Sequence, residues 1–194
     1  MAYRYLHFVR HGQYFVKLHD QGSLTPDGEA QARATADALK SLTVHHIYHS
    51  TMLRAQQTAH AIAEFHPDVP LMPTDLLREC IPSIPPGMDG ALKAVVPDLT
   101  IDSAQRCEAQ LANAFSRFFI PPEGKDDVHD LLVCHGNVIR YMVARTMDMH
   151  IDSWVRMMIY NCGISKVMID EDGDIFLVSH NETGHLTLEL RTHT

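Results

Sequence analysis

The two clearest apolar runs of this chain end alike. The first begins near Tyr5, continues through Leu6, Phe8 and Val9, and is closed by Arg10-His11-Gly12. β-Branched and aromatic residues ended by glycine predict a buried strand whose carboxyl end opens into a loop. The second is Leu131-Leu132-Val133-Cys134, closed by His135-Gly136-Asn137, which predicts another strand of the same kind. In an open α/β sheet that end is where ligands sit. Two histidines at the carboxyl ends of two buried strands can therefore share one crevice.

Around these runs the period becomes helical. After a loop over residues 13–24, Thr25 supplies an N-cap with Pro26 at the first helical position. The helix runs to about Leu42, with Ala30, Ala34, Ala38 and Leu42 as a row of small residues that lets it lie close to a sheet. Residues 46–49 read as a second strand. Ser50 or Thr51 caps the next helix, which runs to about Phe65 with Met52, Ala55, Ala59 and Ile62 as its buried stripe and Arg54 and Thr58 on another face. Residues 71–73 form a short edge strand, and residues 81–97, rich in proline, read as irregular rather than helical.

A helix over 102–119 resumes the pattern with Leu111, Ala114, Phe115 and Phe118, and residues 121–130 read as an exposed, charged turn. Beyond the second buried strand come a helix over 137–147 and an amphipathic piece around Trp154 and Met158. Residues 164–169 and 175–178, joined across Asp172-Gly173, read as a hairpin at the sheet edge. Without repeats or low-complexity linkers, residues 1–194 read as a single domain. Alternating strands and helices predict an α/β fold, a three-layer α/β/α sandwich with a mostly parallel central sheet and an antiparallel edge.

Composition narrows the function. A hydrophobic content of 45% and a charged content of 21% are globular values. A formal net charge of -8 argues against a nucleic-acid partner, whose binding surfaces carry a basic excess. Cys80, Cys107, Cys134 and Cys162 are scattered without a CxxC pair, which reads as reduced thiols in an intracellular compartment. No apolar run approaches the roughly 20 residues of a membrane span. The start lacks a signal-peptide pattern and leaves no room for an anchor before the first strand. The expected location is the cytoplasm, or the mitochondrion if a targeting or anchor segment has been removed. Despite fourteen histidines, neither HExxH nor a carboxylate cluster at ligand spacing is present, so no metal is expected. His60, His66, His150, His180, His185 and His193 read as surface or capping residues.

The chemistry follows from the strand ends. His11 can act as a nitrogen nucleophile beside the fixed cation Arg10, and the natural electrophile for that pair is a phosphoryl group. Arg54 lies in the first turn of its helix, where a cation opposes the helix dipole. That placement points to an anion bound at the same helix end.

Arg10-His11-Gly12, Leu24-Thr25-Pro26-Asp27-Gly28, Ser50-x3-Arg54-Ala55-x-Gln57-Thr58-Ala59, Leu77-Arg78-Glu79 and His135-Gly136 together resemble, in order, the histidine phosphatase superfamily, in its phosphoglycerate-mutase-like branch. Finer details are similar to the mitochondrial serine/threonine protein phosphatases within it: Gln13-Tyr14, the run 75–79, Cys134-His135, the run 137–141, Trp154 and Asn161. Gly12 departs from those members, which carry serine there.

The resemblance implies a phosphohistidine intermediate. His11 is then the nucleophile, with its other ring nitrogen on a backbone carbonyl such as that of Gly12. Arg10, Arg54 and protonated His135 hold the three equatorial oxygens, and bound phosphate raises the His135 pKa. Glu79 is the general acid, its pKa pushed up toward working pH. Gly136, Gln13 and Asn137 are candidate substrate contacts, Ser50 caps its helix and touches the phosphate region, and Cys134 and Thr58 pack. With three cations on the transferred group, neither metal nor cofactor is required.

The segment over the site separates the possible reactions. A mutase retains a bisphosphorylated intermediate and needs extra basic groups, whereas residues 80–105 carry only Lys93. The expected activity is hydrolysis of a phosphomonoester, foremost phosphoserine or phosphothreonine in a protein. Small-molecule hydrolysis, phosphoglycerate isomerisation and a scaffold without turnover are the alternatives. The hairpin edge and a Trp154/Met157/Met158 patch are the candidate surface for a homodimer.

Overall fold

A computed structural model describes residues 1–16 and 22–193; positions 17–21 of the expected 13–24 loop lie outside the described residues. Six strands, β1 (Arg4–Arg10), β2 (His46–Ser50), β3 (Leu71–Thr74), β4 (Val128–Cys134), β5 (Ile164–Ile169) and β6 (Ile175–Glu182), form one sheet in the order β3-β2-β4-β1-β5-β6. The four on the β3 side run parallel, and β5 and β6 add the antiparallel edge. The helices are α1 (Pro26–Leu39), α2 (Leu53–Ala63), α3 (Asp89–Val95), α4 (Ile101–Phe118) and α5 (Gly136–Thr146).

The two-residue period of a strand sends alternate side chains to opposite faces, and the core divides accordingly. Leu6 and Phe8 of β1 and Leu132 and Cys134 of β4 pack with Leu111, Ala114 and Phe118 of α4 and Val138, Ile139 and Met142 of α5. Val9, Leu131 and Val133 face the other way, onto Ala36 and Leu39 of α1 and Ala55, Ala59 and Ile62 of α2. The expected sandwich, the α2 stripe and the edge hairpin are all present.

Several local expectations need correction. The helix α1 ends at Leu39 and buries Gly28, Gln31, Ala32, Thr35, Ala36 and Leu39, so its inner face is rotated from the predicted alanine row. Polar residues occupy that face because they find partners there: Gln31 Nε2 donates to the Leu190 carbonyl (2.7 Å), and Thr35 Oγ1 to the Gln31 carbonyl (2.9 Å). Residues 89–95 are helical although none of them is buried, and a helix without a buried face carries no apolar period.

The strand β4 starts at Val128, so Asp130 is not in an exposed turn. It is buried, paired with Arg4 and with His46 Nδ1 (2.6 Å). Cys80 and Cys107 form a disulfide across 27 residues, and only Cys134 and Cys162 are free thiols. Trp154 is buried, its Nε1 donating to Ser83 Oγ (2.9 Å), so it belongs to no surface patch. His66 is buried as well.

Candidate active site

Parallel pairing of β1 with β4 aligns Arg10 with Cys134, so the next residues, His11 and His135, emerge side by side. Their ring centroids lie 5.0 Å apart at an interplanar angle of 60°. The His11 N–H donates to the Cys134 carbonyl (3.0 Å), and the His11 carbonyl accepts from Asn161 Nδ2 (3.2 Å). Gly12 N–H donates to Thr58 Oγ1 (3.1 Å). A Cβ on Gly12 would stand 2.5 Å from the Gly28 carbonyl oxygen, and one on Gly28 2.0 Å from the Gln13 oxygen. The loop after β1 and the first turn of α1 thus touch backbone to backbone, which only glycine allows.

These contacts hold His11 in one tautomer. Its Nδ1–H donates to the Gly12 carbonyl (2.8 Å), and its Nε2 accepts from Arg54 Nε (3.2 Å), so Nε2 carries the lone pair. Burial, reinforced by Arg10 and Arg54, holds the His11 pKa well below its ordinary value. A neutral imidazole with an accessible nitrogen is what nucleophilic attack requires. The Tyr14 ring lies 4.3 Å from the Arg54 guanidinium carbon and meets His11 edge-on at 5.2 Å, a cation–π contact that walls one side of the site.

His135 faces the same space. Its Nε2 is 2.7 Å from Ser50 Oγ, which also accepts the Met52 N–H at 3.3 Å. Met52, not Ser50, is the N-cap residue of α2; the Ser50 hydroxyl serves His135 instead. Burial, His11 and the guanidiniums of Arg54, Arg10 and Arg78 lower the His135 pKa. In both imidazoles the environment favours the neutral form. Arg10 donates Nη1–H to the Ile159 carbonyl (2.6 Å), and its guanidinium lies against Gly136 at the start of α5.

Glu79 completes the cluster. Its carboxylate receives the Asn137 backbone N–H and faces Arg10, Arg54 and Arg140. Desolvation outweighs these cations and raises its pKa. Its Oε1 is buried without a hydrogen-bond partner. Arg78, whose charge also reaches His135, donates Nη1–H to Thr51 Oγ1 (3.0 Å).

Gln13 and Asn137 each make hydrogen bonds within the walls of the site. Gln13 Oε1 accepts from Thr25 Oγ1 (2.8 Å), while Asn137 donates to the Cys80 carbonyl (3.1 Å) and accepts from Arg140 (3.0 Å). Both read as struts of the crevice.

Thr58, read from sequence as packing, instead holds the backbone N–H beside the nucleophile, and Asn161 holds its carbonyl. Neither role has a local signal, because each partner comes from a distant part of the chain. Among the described residues, no group of three or more His, Cys, Asp or Glu side chains is placed to hold a metal ion.

A central parallel sheet that brings two histidines, two arginines and a glutamate to one crevice defines a phosphoryl-transfer enzyme of the histidine type. The chain belongs to the histidine phosphatase superfamily (branch 1), whose family model matches residues 6–183, and it is a phosphatase by that membership. It is 34% identical over 198 residues to the mitochondrial serine/threonine-protein phosphatase PGAM5 of Xenopus tropicalis, across 100% of this chain and 69% of the relative. The phosphoglycerate mutase of Plasmodium falciparum superposes with a TM-score of 0.64 at 29% identity, over 96% of this chain and 94% of the other. YhfR of Bacillus stearothermophilus shares the fold with a TM-score of 0.76 at 19% identity, over 95% and 100%.

Proposed function

We propose that this protein hydrolyses phosphoserine and phosphothreonine in proteins through a phosphohistidine on His11. The observation that carries the reading is the fixed His11 tautomer, with the Nε2 lone pair held 3.2 Å from Arg54 Nε, its ring 5.0 Å from that of His135, and Glu79 facing the same Arg10 and Arg54. In the first step Nε2 attacks phosphorus in line. Arg10, Arg54 and His135, protonated once the phosphate dianion is bound, take the charge spread over the equatorial oxygens. Glu79 gives its proton to the departing serine oxygen. In the second step Glu79, now a carboxylate, takes a proton from the water that attacks the phosphohistidine, and inorganic phosphate leaves.

Hydrolysis is favoured over isomerisation because Lys93, the basic residue of the 80–105 segment, is paired with Asp89 at 3.0 Å and is not set to retain a second phosphate. The mitochondrial serine/threonine-protein phosphatase relative supports a protein substrate and a mitochondrial location. The test is rapid quench with a 32P-labelled phosphoserine peptide. The expected result is acid-labile, alkali-stable label on the chain, lost in His11→Ala. Absence of label during turnover would overturn the mechanism, and brisk isomerisation of 3-phosphoglycerate without peptide hydrolysis would overturn the substrate class.

A further inference from the structure

The segment that carries Glu79 has little regular structure of its own. A single turn of 3-10 helix over Asp75–Leu77 gives way to an irregular run through residue 85. What fixes it is α4. Cys107 and Gln110 lie on one face of that helix, three residues apart, the spacing of neighbours on a helix surface. Gln110 Nε2 donates to the carbonyls of Leu76 (3.3 Å) and Arg78 (3.0 Å), and Cys107 is joined covalently to Cys80, the residue after Glu79. On the other side the Cys80 carbonyl accepts from Asn137 Nδ2, and the backbone N–H of the same Asn137 meets the Glu79 carboxylate.

We propose that the Cys80–Cys107 disulfide is the positioning cross-link of the catalytic acid, so that a dithiol reductant controls protonation of the leaving group while leaving phosphate capture intact. The inference rests on the role given to Glu79 above. The remaining thiols do not compete for the chemistry. Cys134 and Cys162 are fully buried, with burial pushing both thiols up, Cys162 to about 12.

Cys107 is buried too, whereas Cys80 is partly exposed, so attack falls on the Cys80 sulfur. A thiolate of the dithiol bonds to Cys80 Sγ, the S–S bond breaks, and Cys107 leaves as a thiolate that takes up a proton. The second thiol of the reductant then displaces Cys80. Two electrons have passed to the protein, which holds two thiols, and the reductant has become a disulfide. His11, Arg10, Arg54 and His135 sit on β1, α2 and the β4 end, none of them tied to this bond. Glu79 alone loses its covalent anchor.

A proton donor matters most when the leaving oxygen is a poor one, and this gives a readout that a general loosening would not. The experiment measures single-turnover phosphorylation of the full chain, oxidised and after dithiothreitol, with a phosphoserine peptide and with p-nitrophenyl phosphate, whose leaving group departs without help. Thiol labelling and mass spectrometry report the state of the pair. Reduction is expected to slow phosphorylation by the peptide about tenfold or more, a displacement effect on an oriented group, and to leave p-nitrophenol release within about twofold. Glu79→Gln, already slow with the peptide, should show no further response to the reductant, and Cys80→Ser should hold the reduced behaviour in either condition.

Equal slowing with both substrates, or no slowing once labelling shows the pair reduced, would overturn the proposal. Because reduction is carried out on the folded protein, a variant that fails to fold leaves the result intact. Failure of the oxidised protein to form phosphoenzyme from either substrate would instead overturn the parent reading.

Discussion

Replacing Glu79 by glutamine separates the proton from everything else this side chain does. Glutamine has the same shape, and its carbonyl can still accept the Asn137 N–H that the carboxylate accepts. What it cannot do is release a proton through the oxygen at the Oε1 position, which is buried and has no other partner. Positioned acid–base catalysis contributes about 10²–10⁴-fold, which at about 1.36 kcal/mol per tenfold is roughly 2.7–5.4 kcal/mol of barrier. In the protonated form that acts as the acid Glu79 carries no charge, so glutamine leaves the field around Arg10, Arg54 and Arg140 unchanged and phosphate affinity should hold.

The expected pattern is single-turnover phosphorylation by a phosphoserine peptide slowed at least a hundredfold, with KM unchanged. The pH profile carries the sign. A carboxyl whose pKa is raised by burial is the proton donor below that pKa and loses the function above it. The wild-type rate with the peptide should therefore fall as pH rises through the elevated value, and Glu79→Gln should lack that limb. A variant within about threefold of wild type, or one equally slowed with p-nitrophenyl phosphate, would refute the assignment of Glu79 as the acid.

Three further outcomes are expected. Asp130→Asn leaves Arg4 buried without its partner, a loss of about 3–5 kcal/mol. For a chain of this length that is roughly 6–20 °C in Tm, readable by calorimetry. His7 is buried, and desolvation together with Lys166 and His129 lowers its pKa from 6.5 to about 3. The unfolded chain takes up a proton below 6.5 that the folded chain resists, so stability is complete above pH 6.5 and declines toward pH 3 by up to about 1.4 kcal/mol per unit. Urea titrations across that window should show the slope, and His7→Gln should flatten it. Turnover should survive EDTA, because three cations already meet the transferred phosphoryl group; loss of activity restored by a divalent ion would contradict this.

The parts of the fold that could be read from sequence are those with a local signature. The strands β1 and β4 announce themselves as apolar runs closed by histidine and glycine, α2 by its 3, 4, 3 stripe, and the edge hairpin by Asp172-Gly173. The convergence of His11 and His135 followed from the two strand endings, and Arg54 from its misplacement against a helix dipole.

What escaped depends on partners far along the chain. Asp130 looks like a turn residue until Arg4, 126 positions away, compensates it. The α1 face looks like an alanine row until the carboxyl-terminal segment supplies hydrogen bonds to Gln31. Cys80 and Cys107 look like isolated thiols until α4 lies across the segment beside Glu79. The α3 helix has no buried face at all, so no apolar period could betray it.

The two imidazoles ride on adjacent strands in the middle of the sheet, the region of a protein that opens last, while Glu79 arrives from beyond the outermost parallel strand. On the proposed mechanism, capture of the phosphoryl group is built into the permanent frame, and the chemistry of the leaving group into a replaceable panel. Rebuilding residues 81–100 alone should change which alcohol departs while leaving Arg10, His11, Arg54 and His135 in place. A scaffold divided in this way can turn from one phosphomonoester to another at small structural cost.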